Sequence, residues 1–299
     1  MPASISDFLS QEATRKLSRL VVRSRYNVEG SRAGAHASPN KGASVEFADY
    51  RAYVKGDNLK SLDWKVFART DRYFIRQYKE ETSLRVHLVL DGSLSMTYRS
   101  PKSKWSKFEY ATKLAAAIGY IVSKQQDSLG LTIYDNIVRK EVPARSGPRH
   151  LTLILEALLS HKPEHVTNTG EALHALAELL SRRGLIILMS DLFDDPEALF
   201  HAIAHFKKKL HDVILLQILD PVELDLSLDR PMEFVDLETG EKLEVDPVQA
   251  RAAYKEELQK FIDLTRERCS GLNVDYRLVS TGEGFDSFLQ QYLAERATM

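Results

Sequence analysis

The strongest chemical signal in the sequence is a set of oxygen donors that recurs at three places. Asp91, Ser93 and Ser95 alternate in Asp91-Gly92-Ser93-Leu94-Ser95-Met96, directly behind the apolar run 84–90. Alternate positions in an extended turn let one carboxylate and two hydroxyls converge on a point. Thr167-Asn168-Thr169-Gly170 precedes a helical pattern, and Ser190-Asp191 follows the apolar run 185–189. Ligands of open α/β sheets sit at the carboxyl ends of the strands. An all-oxygen set there suits a hard cation, Mg²⁺ above all, with Mn²⁺ or Ca²⁺ as alternatives. Each residue taken singly has a plainer role: Thr169 caps a helix, Asp191 ends a strand, Ser93 makes a turn. Three groups in this order on three strand ends argue for a shared site.

Such a site needs parallel strands, and the periodicity supplies them. Strands are expected at 84–90, 129–134, 137–142, 185–189 and 213–219, with a hairpin turn at Asp135-Asn136. Between them, helical stripes fall at 107–124, 151–159, 172–180 and 196–210. Strands alternating with helices predict an α/β, Rossmann-like fold with a mostly parallel central sheet flanked by helices. Beyond it, 233–245 reads as a hairpin turning at Glu238-Thr239-Gly240-Glu241. A long helix starts behind Asp246-Pro247 and runs to about Cys269, with Gly271 as its stop. A last strand at 273–279 and a last helix at 285–293 follow, and this stretch is expected to continue the same sheet. The first stretch opens with a helical pattern of Phe8, Leu9, Leu17, Leu20, Val21 and Val22. A region rich in small residues (30–44) and short strands at 45–47 and 73–75 come next. The expected division is an N-terminal α+β segment, 1–82, and an α/β domain, 83–299.

Composition narrows the function. The 299 residues carry 41 basic and 42 acidic side chains, a formal net charge of -1, which argues against a coat for nucleic acid or an anionic membrane. The charge is uneven: 15 basic and 9 acidic residues in 1–80, against 12 and 23 in 190–299. A lone cysteine, Cys269, permits no internal disulfide and no thiolate zinc site. No apolar run approaches the ~20 residues of a membrane span, and the start lacks a charged-then-apolar leader pattern. The expected location is the cytoplasm.

With these residues in place, the sequence resembles a known family. Asp91-Gly92-Ser93-Leu94-Ser95-Met96, the threonine loop and Leu188-Met189-Ser190-Asp191 look like the metal-ion-dependent adhesion site of von Willebrand factor type A domains. The resemblance implies Mg²⁺ held by Asp91, Ser93, Ser95, Thr167 and Asp191, with an open position that a partner's carboxylate commonly fills. The first stretch sharpens the match: 42–47, Tyr50-Arg51, Tyr53, Gly56-Asp57, Asp63-Trp64 and Ala68-Arg69 are similar to the signature of the domain-of-unknown-function 58 family. Phe234-Val235-Asp236 and Glu238-Thr239-Gly240 fit its tail. Members are often encoded beside MoxR-type AAA+ ATPases, which implies an adaptor or co-chaperone role with such an ATPase, or with a client presenting an acidic residue. Larger members carry two N-terminal membrane helices, and this sequence shows none.

Other residues have plainer expected roles. Asp57, Asp63 and Arg69, with Glu46 and Arg51, read as salt links and turn caps. Trp64 and Phe67 read as packing aromatics, and His87 as a packed core histidine. His36 and His150 sit near polar loops with no partner at metal-ligand spacing. Arg15, Lys16, Arg19, Arg23 and Arg25 read as the solvated face of a helix, with no nucleic-acid module beside them. No catalytic motif is complete. A haloacid-dehalogenase-type phosphatase would need an aspartate where Ser93 stands, and neither a phosphate-binding P-loop nor a GxSxG elbow is present. A metal-dependent phosphoesterase and a scaffold with an unused metal site are the alternatives to a binding module.

Overall fold

The computed structural model describes residues 3–25, 36–42, 46–55, 57, 62–166 and 169–298. Two compact units emerge: residues 1–25 with 85–299, and residues 26–84. The first 25 residues thus belong with the larger unit, where the sequence reading grouped them with the segment ending at 82. The reason is local. Phe8 and Leu17 are buried, the Val22 N–H donates to Gln125 Oε1 at 2.8 Å, and the Arg25 N–H donates to Asp212 Oδ2 at 2.9 Å. The helical pattern over 8–22 yields only α1 (Gln11–Leu17), behind a 3-10 turn at Ile5–Asp7. Ser10 restarts the chain as a new N-cap, its Oγ accepting from the Ala13 N–H at 3.1 Å, so one long helix is not formed. Arg15, Lys16, Arg19, Arg23 and Arg25 are exposed, with Lys16 2.9 Å from Glu12 and Arg25 3.2 Å from Asp275.

The smaller unit holds β1 (His36–Gly42), β2 (Glu46–Ala52), α2 (Trp64–Thr70) and β3 (Phe74–Thr82), with an antiparallel sheet in the order β1-β3-β2. Asp63 is the buried cap of α2. Its Oδ1 accepts from the Lys65 N–H at 2.9 Å, and its Oδ2 accepts from the Tyr50 hydroxyl at 2.9 Å. Arg51 pairs with Asp57 at 2.7 Å. Arg69 departs from its expected salt link: it is exposed and makes no ion pair among the described residues. Trp64 is 61% exposed and packs with one edge only: its ring meets Phe67 edge-on at 6.1 Å, and Phe67 stacks on Tyr73 at 4.5 Å. Residues 43–45 and Gly56 of the family-like signature, and the side chains of His36 and Glu46, lie outside the described residues.

The larger unit continues with β4 (Arg85–Asp91), α3 (Lys107–Lys124), β5 (Ser128–Tyr134), β6 (Val138–Arg145), α4 (Pro148–Ser160), α5 (Thr169–Leu179), β7 (Leu185–Ser190) and α6 (Pro196–Lys208). It is completed by β8 (Asp212–Leu219), the short α7 (Pro221–Asp225), β9 (Met232–Val235), β10 (Lys242–Val245), α8 (Pro247–Gly271), β11 (Asp275–Ser280) and α9 (Phe285–Ala297). Six strands form one sheet in the order β11-β8-β7-β4-β5-β6, all parallel except β6, which runs antiparallel to β5. This is a mixed α/β fold with a mostly parallel central sheet flanked by helices. Every residue of β7 and β8 is buried, as strands covered on both faces must be. On one face Val89, Ile186, Leu188, Val213 and Leu215 pack against Leu173 and Leu176 of α5, Ile203 and Phe206 of α6, and Cys269 of α8.

One further expectation needs correction. The segment 233–245 does not extend the sheet: β9 and β10 pair only with each other, and just β11 joins the edge at β8. All of β9 and β10 is exposed or half-buried, so this hairpin lacks the apolar two-sided burial that an added strand needs. Gly271 is the last residue of α8, as expected, and the left-handed residue beyond the end is Asn273, φ 53°. Asp246 caps α8 as expected, accepting from the Val248 N–H at 3.0 Å.

Candidate functional site

Register brings the strand ends together. In the parallel ladder Asp91 lies opposite Tyr134 of β5, Leu90 opposite Met189 of β7, and Ser190 opposite Gln217 of β8. Tyr134, Asp91, Ser190 and Gln217 therefore stand along one carboxyl edge, each fully buried. Gly92 lets the chain leave β4. A Cβ there would come within 2.4 Å of His161 Nε2 and 2.8 Å of Ile133 Cγ2.

Asp91 is held on both oxygens. Its Oδ1 accepts from the Ser93 N–H at 3.0 Å, and its Oδ2 accepts from the Ser190 hydroxyl at 2.6 Å. Ser93 precedes a 3-10 turn, Leu94–Thr97, which folds the loop so that the Ser93 and Ser95 Oγ atoms lie 3.0 Å apart. The alternation read from the sequence thus brings both hydroxyls to one point beside Asp91. Asp191 follows Ser190 off β7. Its backbone carbonyl accepts from Gln217 Nε2 at 3.1 Å, and its Oδ1 accepts from the Phe193 N–H at 3.2 Å. Thr167 and Asn168 lie outside the described residues. Thr169 opens α5, and its N–H donates to Asp194 Oδ2 at 2.6 Å. The Thr169 hydroxyl is no cap: Oγ1 is buried without a hydrogen-bond partner among the described residues, as is the Tyr134 hydroxyl.

The pocket is short of positive charge. Burial, and then the like charge of Asp191, push the Asp91 carboxyl up to about 7, against hydrogen bonds from Ser190 and Ser93. Burial likewise drives the Tyr134 phenol well above its ordinary range, with Asp91 adding to the effect. A single buried cation answers this. Lys107, at the first position of α3, places Nζ 2.7 Å from Asp191 Oδ2 and 2.6 Å from Glu223 Oε1. Burial opposes the Lys107 charge, but the two carboxylates outweigh it and hold the ammonium above its ordinary value. Burial raises the Glu223 carboxyl. Its Oε2 accepts from the Asp220 N–H at 2.7 Å, closing a capping box on α7. A cavity of about 400 Å³ opens beside Ser95 and Lys107, lined also by Tyr98, Phe193, Glu223 and Tyr254.

Sequence reasoning missed Lys107, Glu223 and Tyr134. A lysine at the start of a helix reads as solvated, and Asp220-Pro221-Val222-Glu223 signals only a cap. Ser190 was legible as an oxygen donor but not as the partner of Asp91. The donor set fits a hard divalent cation. Two carboxylates and two serine hydroxyls meet where one carboxylate is pushed toward neutrality and a threonine hydroxyl stays unsatisfied.

Fold and site together define an α/β protein with an oxygen-donor site at the carboxyl edge of a mostly parallel sheet. The chain belongs to the family described as protein of unknown function DUF58, whose profile matches residues 49–261. The uncharacterized protein Rv1480 of Mycobacterium tuberculosis (strain ATCC 25618 / H37Rv) is 26% identical over 249 residues, covering 80% of this chain and 77% of that protein. The uncharacterized protein Mb1516 of Mycobacterium bovis (strain ATCC BAA-935 / AF2122/97) matches to the same extent. Among solved structures, an aerotolerance-related membrane protein from Bacteroides fragilis NCTC 9343 aligns with a TM-score of 0.46 at 16% identity, over 72% of this chain and 98% of that one. The conserved hypothetical protein BatB from Bacteroides thetaiotaomicron aligns with a TM-score of 0.45 at 15% identity, over the same shares. Among the described residues of this chain, no helix is long and apolar enough to cross a membrane.

Proposed function

We propose that this protein is a cation-dependent protein-interaction module of von Willebrand factor type A character, working in the cytoplasm. Asp91, Ser93, Ser95, Thr167 and Asp191 would hold Mg²⁺, which supplies a Lewis-acidic contact for a partner's carboxylate. The observation that carries the reading is the doubly anchored, fully buried Asp91, with Ser93, Ser95 and Asp191 gathered from two strand ends. The chain's own residues do the rest. Ser190 and the Ser93 N–H orient the Asp91 carboxylate, and the Phe193 N–H and Lys107 orient Asp191. The cavity beside Ser95 offers Phe193 and Tyr254 as apolar surface next to the polar centre, a combination suited to a protein partner. The partner we favour is a MoxR-type AAA+ ATPase, or a client presenting an acidic residue.

The test has two arms. Calorimetric titration with Mg²⁺ is expected to show one site in the wild type and none in Asp91→Ala, with circular dichroism unchanged. Affinity capture with a candidate ATPase is expected to succeed in Mg²⁺ and to fail in EDTA and with Asp91→Ala. Equal capture in all three conditions would refute a metal-bridged contact.

A further inference from the structure

A second group of ligating side chains stands apart from the strand-end donors, on the α5–α6 pair. His174 and Glu178 are one helical turn apart on α5 and project from the same face. His205 meets them from α6: its Nε2 lies 3.2 Å from Glu178 Oε1, and its ring centroid lies 4.7 Å from that of His174. One ligating atom from each of the three residues lies within 4.8 Å of the other two. The scaffold beneath is tightly packed. Leu173, Leu176 and Ala177 share the core with Ala202, Ile203 and Phe206, and a Cβ on Gly170 would come 2.5 Å from Ala198 Cβ.

We propose that His174, Glu178 and His205 form a zinc site that clips α5 to α6. Two imidazoles and a carboxylate are a ligand set that Zn²⁺ takes, with a fourth position left for water. Tetrahedral zinc with bonds of ~2.0–2.2 Å sets neighbouring ligand atoms about 3.4 Å apart. The 3.2 Å between His205 and Glu178 already matches that edge, and the exposed His174 closes the remainder by a rotamer change. Lys209 engages the other Glu178 oxygen, Oε2, at 3.2 Å and also donates to the Ala177 carbonyl at 2.7 Å. It fixes the carboxylate and leaves Oε1 for the ion, as an outer partner of a metal ligand does. The clip has a consequence at a distance. Thr169 opens α5, and α6 starts just after Asp191 and Asp194, so zinc braces the two helices that lead out of the oxygen-donor site.

The test uses the full chain in saturating Mg²⁺, so that any strand-end cation site is filled. Equilibrium dialysis is expected to show one Zn²⁺ per chain, and Co²⁺ in its place is expected to give the visible absorption of a four-coordinate, nitrogen-ligated ion. His174→Ala removes an exposed ligand and is expected to weaken zinc binding by about a hundredfold or more, beyond the loss of an outer partner. It is also expected to abolish the zinc-induced rise in melting temperature. Asp91→Ala is expected to keep zinc binding intact. Zinc held equally by wild type and His174→Ala, or lost in Asp91→Ala, would overturn the assignment.

Discussion

Lys107→Met tests the electrostatic reading of the site most directly, because it removes the ammonium and keeps most of the stem. The Lys107 side chain is 1% exposed, with its nitrogen 2.7 Å from Asp191 and 2.6 Å from Glu223. At an effective dielectric of about 20, each contact is worth roughly 6 kcal/mol of attraction. Desolvation offsets most of that, so forming the triad contributes little net stability. Breaking it is different, because buried Asp191 and half-buried Glu223 are then left without their cation. The expected loss is about 3–5 kcal/mol in EDTA, or a fall of about 6–20 °C in Tm for a unit of this size. Mg²⁺ bound at the proposed site would supply the missing charge. The Mg²⁺-induced rise in Tm should therefore be larger in the variant than in the wild type, where an ion at 100 times its Kd stabilises by about 2.7 kcal/mol. The assay is thermal and urea unfolding of both proteins in EDTA and in Mg²⁺. A fall in Tm of less than about 2 °C in EDTA would show that Lys107 does not neutralise a buried pair. An equal Mg²⁺ response in both proteins would refute the exchange of charge between lysine and ion.

Arg296 closes a second buried network far from this site: it pairs with Asp212 at 2.6 Å and with Asp275, which also accepts from the Tyr292 hydroxyl at 2.8 Å. Arg296→Met should lower the unfolding free energy by about 3–5 kcal/mol by urea titration while leaving Mg²⁺ affinity unchanged. His87 is buried against Thr132 Oγ1 at 2.8 Å, and burial, aided by His211, lowers its pKa from 6.5 to about 4. Its contribution is fully present above pH 6.5 and is lost as pH falls toward 4, by about 3 kcal/mol in all. Comparing urea midpoints at pH 7 and pH 4.5 should show that His87→Gln flattens this limb. Cys269 is buried, and burial raises its thiol to about 12, so it should resist a thiol reagent in the native protein and react fully in urea.

Much of this protein was legible in one dimension. Continuous apolar runs at 185–189 and 213–219 announce strands buried on both faces, and they are the central β7 and β8. Alternation made Asp91, Ser93 and Ser95 a candidate cluster, and the 3-10 turn after Ser93 does bring the two hydroxyls together. Caps were readable for the same reason: Asp246-Pro247 acts within one turn of backbone, so neighbours in sequence suffice to specify it. What escaped depended on residues distant in the chain. Nothing in the local sequence separates a solvated Lys107 from one buried between Asp191 and Glu223, which follow it by 84 and 116 positions. The same holds for His205, which meets His174 and Glu178 only because α5 and α6 pack side by side. It holds too for the hairpin β9–β10, whose alternation suits a sheet edge that its own burial does not support. The sequence by itself determined the order of strands and helices and the oxygen chemistry of their ends. Only the tertiary structure decided which charges face one another, because that depends on parallel register and helix packing across long stretches of chain.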